Sequence, residues 1–501
     1  MTLPLLPNPK QQYFDANGNP LAGGKVYTYA AGTSTPKATY SDAAGVTPNA
    51  NPVILDSRGE ATIFWNGAYK VTLATAADAT IYTVDNVTDT AAAGIASTLA
   101  SLASTGGAAL IGTSTGYTAQ VELNNRPTSA TLAASGGSAL VGFLQAGTGA
   151  STRTVQAKLR ERVSVLDFGA DPTGVADSAT AFGAARDYLA TSSDYRGGII
   201  YVPKGTYKLN SSWAFTPYVA GQVFNLEIEG DGPLATNLDF SGCTAGVNGI
   251  TAIGQGVSFH MRGLSINGAP GKGLTFKGGS VGSSDYISFV SLENVRVQGS
   301  GSDGIYSENS FMVEMRQVWS KDNTGAGFNF QGFHTSIKAD VCWATDNDDA
   351  GFRINGAIYF TLNSCGSDRN LYGYRLSNVT GVINGCGAES CVREGFAAET
   401  ATSYNTGLPT DALNVYLTMI GCYAVSNSTA GVNAYANLLS CLTANSLAIS
   451  VTMIGCVSRE GTSTAHALAL NAASGSIDIW GYTTMGTNAD STNVNTGGTI
   501  H

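Results

Sequence analysis

Charge is scarce in this sequence. Asp, Glu, Lys and Arg supply 12% of the 501 residues, about half the usual share, and the balance is acidic, at -10. Without a basic surplus to displace counterions from phosphates, general nucleic-acid binding is excluded. Long apolar runs are missing too: no stretch reaches the roughly 18 residues of a membrane span. The start, Met1-Thr2-Leu3-Pro4-Leu5-Leu6, has neither the basic opening nor the apolar run of a signal peptide. The expectation is a soluble protein that inserts in no membrane and carries no secretion address. Nucleophile and cofactor signatures are also absent. There is no G-x-S-x-G, no P-loop and no paired-cysteine zinc spacing. His334 reads as isolated, with no serine or cysteine nucleophile beside it, and no metal or other cofactor is expected.

What is abundant is Gly, Ser, Thr, Ala and Asn, while 43% of the residues are apolar. That combination points to a β-solenoid rather than to disorder. Six short phrases support it: Asp303-Gly304-Ile305, Ala326-Gly327-Phe328, Ala350-Gly351-Phe352, Tyr372-Gly373-Tyr374, Glu394-Gly395-Phe396 and Ala430-Gly431-Val432. Their glycines step by 23, 24, 22, 22 and then 36 residues. A period in the low twenties is the length of one coil of a parallel β-helix, and a coil cannot bury its apolar face without neighbours. The long step contains 401–413, which reads as a loop inserted into one coil. Cys342, Cys365, Cys386 and Cys422 lie 9, 8, 9 and 9 residues before the recurring glycines, so they share a column, and Cys456 extends it. Free, buried thiols stacked at the strand spacing are expected there.

Residues 1–89 read as a compact β domain broken by turns such as Asp15-Ala16-Asn17-Gly18 and Asp56-Ser57-Arg58-Gly59. The order of Gly24-Lys25-Val26-Tyr27, Pro52-Val53-Ile54-Leu55, Trp65-Asn66-Gly67-Ala68-Tyr69-Lys70-Val71 and Asp85-Asn86-Val87 resembles the head-binding domain of podovirus tailspikes. From 90 to 160 the chain turns to Ala, Gly, Ser and Thr and reads as a stalk or neck. In it Gly106-Gly107-Ala108-Ala109-Leu110-Ile111-Gly112 returns thirty residues later as Gly136-Gly137-Ser138-Ala139-Leu140-Val141-Gly142. A short helix over 91–103 would line up Ile95, Leu99 and Leu102. Then Val163-Ser164-Val165-Leu166-Asp167-Phe168-Gly169-Ala170-Asp171, Asp177-Ser178-Ala179-Thr180-Ala181-Phe182 and Ile200-Tyr201-Val202-Pro203-Lys204-Gly205 resemble the start of the pectate-lyase-like β-helix of phage tailspikes and tail fibres. Asp177 or Ser178 is placed to cap a helix over 179–190 that covers the first coil. Asp167, Asp171 and Asp177 read as turn and cap formers. The fold expected is therefore all-β: a right-handed parallel β-helix over 161–485, behind a small virion-binding domain and the neck, with a short tail over 486–501.

Alignment on the cysteine column places Trp319 over Trp343 and Asp322 over Asp346. Asp368 and Glu389 fall one position earlier, and Asp348 follows just after. Carboxylates on adjacent coils lie about 5 Å apart and two coils apart about 10 Å, which brackets the separations used by retaining and inverting glycosidases. Asp322, Asp346, Asp348, Asp368 and Glu389 are accordingly the candidate catalytic residues. An Asp-Asn corner serves equally to turn the chain, and tryptophans in a ladder are as often buried as offered to a sugar. Candidate sugar contacts are Trp319, Trp343, Arg353, Arg375 and Tyr372; the two arginines share a column near Glu308 and Glu399 on the flanking coils and, where unpaired, would hold acidic sugars. Glu314 stacks on Lys338 and Arg316 on Asp340, as in a ladder of surface ion pairs.

The resemblance to tailspikes implies a homotrimer on the phage tail that acts at the bacterial outer surface. It would join phage tail or head proteins through 1–89 and bind and depolymerise a capsule or O-antigen polysaccharide. Acid–base hydrolysis is the expected chemistry. A lyase using Lys338, Arg353 and Arg375, or a fibre that only binds its receptor, stays open.

Overall fold

The computed structural model describes residues 10–88, 90–191, 197–216, 224–254, 257–279, 286–400, 414–427, 436–459, 466–481, 494–496 and 498–501. The expected loop over 401–413 and the sixth phrase, Ala430-Gly431-Val432, lie outside them. The chain separates into two compact units, 1–141 and 142–501.

The first unit opens with a four-stranded antiparallel sheet in the order Val53–Ile54, Lys25–Ala30, Tyr69–Ala74, Thr80–Val87. Val26, Tyr69, Val71 and Leu73 alternate inward and pack with Leu21, Leu55, Ile63 and Trp65. Asp15 and Asp56, both in expected turns, accept backbone amides two and four residues on. Behind the sheet a helix runs over Thr90–Leu102. The duplicated phrases form matching 3-10 turns, Gly107–Leu110 and Gly137–Leu140. Glycine is required in both: a Cβ at Gly107 would sit 1.8 Å from the Leu102 carbonyl oxygen, and one at Gly137 1.8 Å from that of Leu132.

The second unit is a right-handed parallel β-helix. Its entrance is closed by the helix Ala179–Thr191, whose first amide, from Ala179, donates to Asp177 Oδ1 at 3.0 Å. Phe182 and Leu189 turn inward from this helix, and the Phe182 ring meets Tyr207 and Trp213 edge-on at 5.4 and 4.9 Å. The three acidic residues ahead of it hold turns, as expected. Asp167 completes a capping box with Ser164, and Asp171 accepts the amides of Thr173, Val175 and Ala176, which push its carboxyl down to about 2.

Over 305–389 each coil lays down three strands. One is Phe328–Gln331, His334–Asp340 and Trp343–Thr345; the next is Ala350–Asn355, Ala357–Asn363 and Gly366–Asp368. Every pairing between coils is parallel, with Phe328 opposite Phe352 and Trp343 opposite Gly366. Three ladders fill the interior. Phe328, Phe352, Tyr374 and Phe396, the residues after the recurring glycines, stack face to face at 4.5, 5.0 and 4.5 Å. Cys342, Cys365, Cys386, Cys422 and Cys456 are free and buried in their own column. At the corner the amides of Asn323, Asn347 and Asn370 pass hydrogen bonds from coil to coil, at 2.7 and 2.8 Å. The recurring glycine faces this corner. A Cβ at Gly351 would lie 2.1 Å from Ser367 Oγ, so only glycine lets the coils approach.

Candidate functional site

The short third strand of each coil ends in a left-handed corner residue, which aims side chains outward. Asp322, Asp346 and Arg369 occupy that corner on successive coils, with φ of 55, 54 and 51°. The residue before the corner forms a second column, in which Thr345, Asp368 and Glu389 lie opposite one another. The expected stagger of the carboxylates is therefore present, with an arginine at the corner that the cysteine alignment left unremarked.

Arg369 is the hub of this cluster. Its Nε donates to Asp346 Oδ1 at 2.7 Å and its Nη2 to Asp346 Oδ2 at 3.0 Å, a bidentate fork, while Nη1 donates to Asp368 Oδ2. The two carboxyls respond differently. The guanidinium holds Asp346 below the ordinary carboxylate range. Burial raises Asp368, whose side chain is only 13% exposed, and this outweighs the opposing pull of Arg369. Such divergence separates the roles of a base, which must be ionised, and an acid, which must hold a proton. The remaining candidates are more exposed, and Glu389, opposite Asp368, adds to the rise of its carboxyl. Asp322 is exposed and pairs with Lys321 at 2.8 Å, and Asp348 and Glu389 are exposed.

Trp319 and Trp343 lie opposite each other on the same face, 39% and 47% exposed, so neither is a core residue. Trp343 spreads over the next coil, where a Cβ on Gly366 would come within 2.3 Å of its ring. Trp319 lies between Arg296 and Lys321, at 4.8 and 5.4 Å from its centroid. The outcome is a shelf of two indole rings beside a carboxyl pair.

Four expectations need correction. Arg353 and Arg375 do share a column, but neither is an unpaired anion holder: Arg353 is bound to Asp349, and Arg375 to Glu399 at 3.0 Å. Tyr372 offers no open ring. It is 4% exposed, packed with Ala326, Ala350 and Ala397, and flanked by the guanidiniums of Arg375 and Arg393 at 5.0 and 4.5 Å. Arg316 lies opposite Asp340 but pairs with Glu293 at 3.7 Å, because Lys338 takes Asp340 at 2.7 Å and Glu314 at 3.3 Å. Nor is His334 isolated, since its Nδ1 lies 3.0 Å from Ser310 Oγ. Both residues are fully buried, and burial lowers the imidazole to about 4. This is a neutral core hydrogen bond sealed from substrate.

No family model and no curated protein matches the chain. Solved structures do. The chain is similar to ORF18 of Geobacillus virus E2, with 15% identity, a TM-score of 0.45 and coverage of 65% of each chain. It is similar to the A-module of the mannuronan C-5 epimerase AlgE4 of Azotobacter vinelandii, with 17% identity, a TM-score of 0.46 and coverage of 68% of this chain and 99% of that one. It is also similar to the enzymatically active domain of tailspike protein 2 of bacteriophage CBA120, with 13% identity, a TM-score of 0.46 and coverage of 77% and 60%. Identities this low transfer no residue roles.

Sequence reasoning missed a second surface. One strand back from the tryptophan shelf, on the outer face of the long strands, runs a groove lined by His260, Phe289, Met312, Glu314, Lys338 and Tyr359, with a volume of about 460 Å³. Its signal was a lapse in period-two alternation, and the cysteine alignment does not read that feature.

Proposed function

We propose that this chain is a phage tailspike that binds and depolymerises a bacterial surface polysaccharide by glycosidic hydrolysis. One observation carries the proposal: Arg369 bridges the carboxyls of Asp346 and Asp368 on adjacent coils, on the same short strands and corners that expose Trp319 and Trp343. Asp368 protonates the glycosidic oxygen. Asp346 stays ionised and acts as base or nucleophile, while Trp319 and Trp343 seat sugar rings. Asp322, Asp348 and Glu389, all exposed, are the alternative carboxylates for these two roles. Residues 1–89 attach the protein to the virion tail or head, 90–160 form the neck, and three copies assemble.

The lyase reading loses support, because its cations, Lys338, Arg353 and Arg375, are all engaged by carboxylates. A receptor-binding fibre keeps some, since Arg369 clamps both reacting carboxyls in the free protein. Incubation of the purified chain with host capsule or lipopolysaccharide separates these readings. New reducing ends without the ultraviolet absorbance of an unsaturated uronate mark hydrolysis, both together mark a lyase, and neither marks a binder.

A further inference from the structure

The groove on the long-strand face is built by a repeated departure from in–out alternation. In four stacked strands two consecutive residues point outward between buried ones: Ser288 and Phe289, Phe311 and Met312, Thr335 and Ser336, Ile358 and Tyr359. The second of each pair is left-handed, with φ of 59, 50, 60 and 58° for Phe289, Met312, Ser336 and Tyr359. That conformation is unfavourable for Phe, Met and Tyr, yet it recurs in register and turns a side chain outward at the same height on each coil. Tyr359 is 73% exposed. It also borders a second hollow of about 520 Å³, lined in part by Thr361, Thr380, Tyr416, Thr418 and Ser450.

We infer that these two hollows form a second glycan-binding groove, which takes a neutral polysaccharide laid along the stack of coils. The inference rests on the reading that the protein meets bacterial polysaccharide, and it adds a site apart from the Asp346–Asp368 pair. Exposed rings suit the C–H faces of pyranoses, and the threonine and serine hydroxyls exchange hydrogen bonds with sugar hydroxyls. Spacing favours a chain over a single sugar. Phe289 and Tyr359 are three coils apart and Tyr359 and Tyr416 two, roughly 14 and 10 Å at the strand spacing. Charge favours a neutral one, because Lys338, the one lysine or arginine among the residues lining the first hollow, is neutralised by Glu314 and Asp340, so an acidic glycan would face Glu314 without a free lysine or arginine.

The test applies the purified full-length chain to an array of neutral and acidic bacterial oligosaccharides, alongside Tyr359→Ala, Tyr359→Phe, Tyr416→Ala and Asp368→Asn. Wild type and Asp368→Asn should retain neutral glycans. Each alanine variant should bind them about tenfold more weakly, the loss of one aromatic anchor, and Tyr359→Phe should recover most of that loss. The groove is overturned if wild type retains no neutral glycan, or if the alanine variants bind as wild type does. It is also overturned if Tyr359→Ala changes the particle mass by light scattering, because the face would then be a contact between copies. Tyr359-dependent binding without cleavage of any polysaccharide keeps the groove and removes the hydrolase; cleavage that requires Asp368 with Tyr359-independent binding does the reverse.

Discussion

At the scale of single residues, the proposed chemistry turns on how Arg369 is shared. Asp368→Asn keeps the shape of the side chain but removes the transferable proton, and a general acid is worth about 10²–10⁴ in rate. The expected outcome is a fall in kcat of that order with little change in KM, read from reducing-end kinetics; an unchanged kcat would remove Asp368 from the reaction. The pH profile follows from the two displaced carboxyls. Activity should fail on the acid side as Asp346 protonates, below the ordinary carboxylate range, and on the alkaline side as Asp368 ionises, above it. Arg369→Ala removes the main cause of the Asp346 depression and the cation that opposes the rise of Asp368. Both limbs should then move to higher pH, and an unmoved acid limb would show that another group sets it. Stability follows the same sign at Asp346. Its depressed carboxyl contributes fully above the unfolded value near 3.9 and loses that contribution as pH falls through the lower folded value.

At the scale of the coil, stability resides in ladders that neighbouring turns complete for each other. The Asn347 amide accepts from the Asn323 side chain and donates to Asn370 Oδ1 and the Ser320 carbonyl, all out of water. Asn347→Ala strands these partners, at a cost of about 1–3 kcal/mol, measurable as a lowered urea midpoint; an unchanged midpoint would mean the ladder is not a source of stability. These ladders also explain what could be read in the sequence. A column appears in the sequence when one residue type recurs at the coil period, so the glycines, the cysteines and the stacked Trp319 and Trp343 were legible. So was the stagger of Asp346, Asp368 and Glu389. Side-chain partners were legible only in part: Lys338 meets Glu314 as expected, but the period fixes which residues are opposite without fixing which way a long side chain swings. Arg316 therefore reached Glu293 rather than Asp340, and although Glu399 stood near the column of Arg353 and Arg375, nothing in the column showed that Glu399 would hold Arg375 and Asp349 would hold Arg353. The outward Phe289–Tyr359 column was hidden for another reason: its conformation is left-handed, and no glycine marks it.

At the scale of the whole molecule, the first unit leaves large apolar side chains in water. Ile95 and Leu99, one helical turn apart on Thr90–Leu102, are 62% and 60% exposed, and a helix of 13 residues is marginal without a partner. Identical helices from further copies would bury that stripe, and the proposed assembly of three copies supplies them. Assembly in turn governs how the protein holds a surface. The proposed three copies would present each proposed glycan site three times, and linked sites exceed single-site affinity by about 10²–10⁴ when they engage one target. Ile95→Asp with Leu99→Asp places charge in the stripe and leaves the sequence of the β-helix unchanged. The double variant should drop from the mass of a trimer to that of a monomer by light scattering and keep its far-ultraviolet dichroism. It should lose most of its retention on immobilised polysaccharide while binding a short soluble oligosaccharide as wild type does. A double variant that remains trimeric would move the assembly contact out of the neck, and one that becomes monomeric with undiminished retention would show that a single copy's sites suffice for the surface.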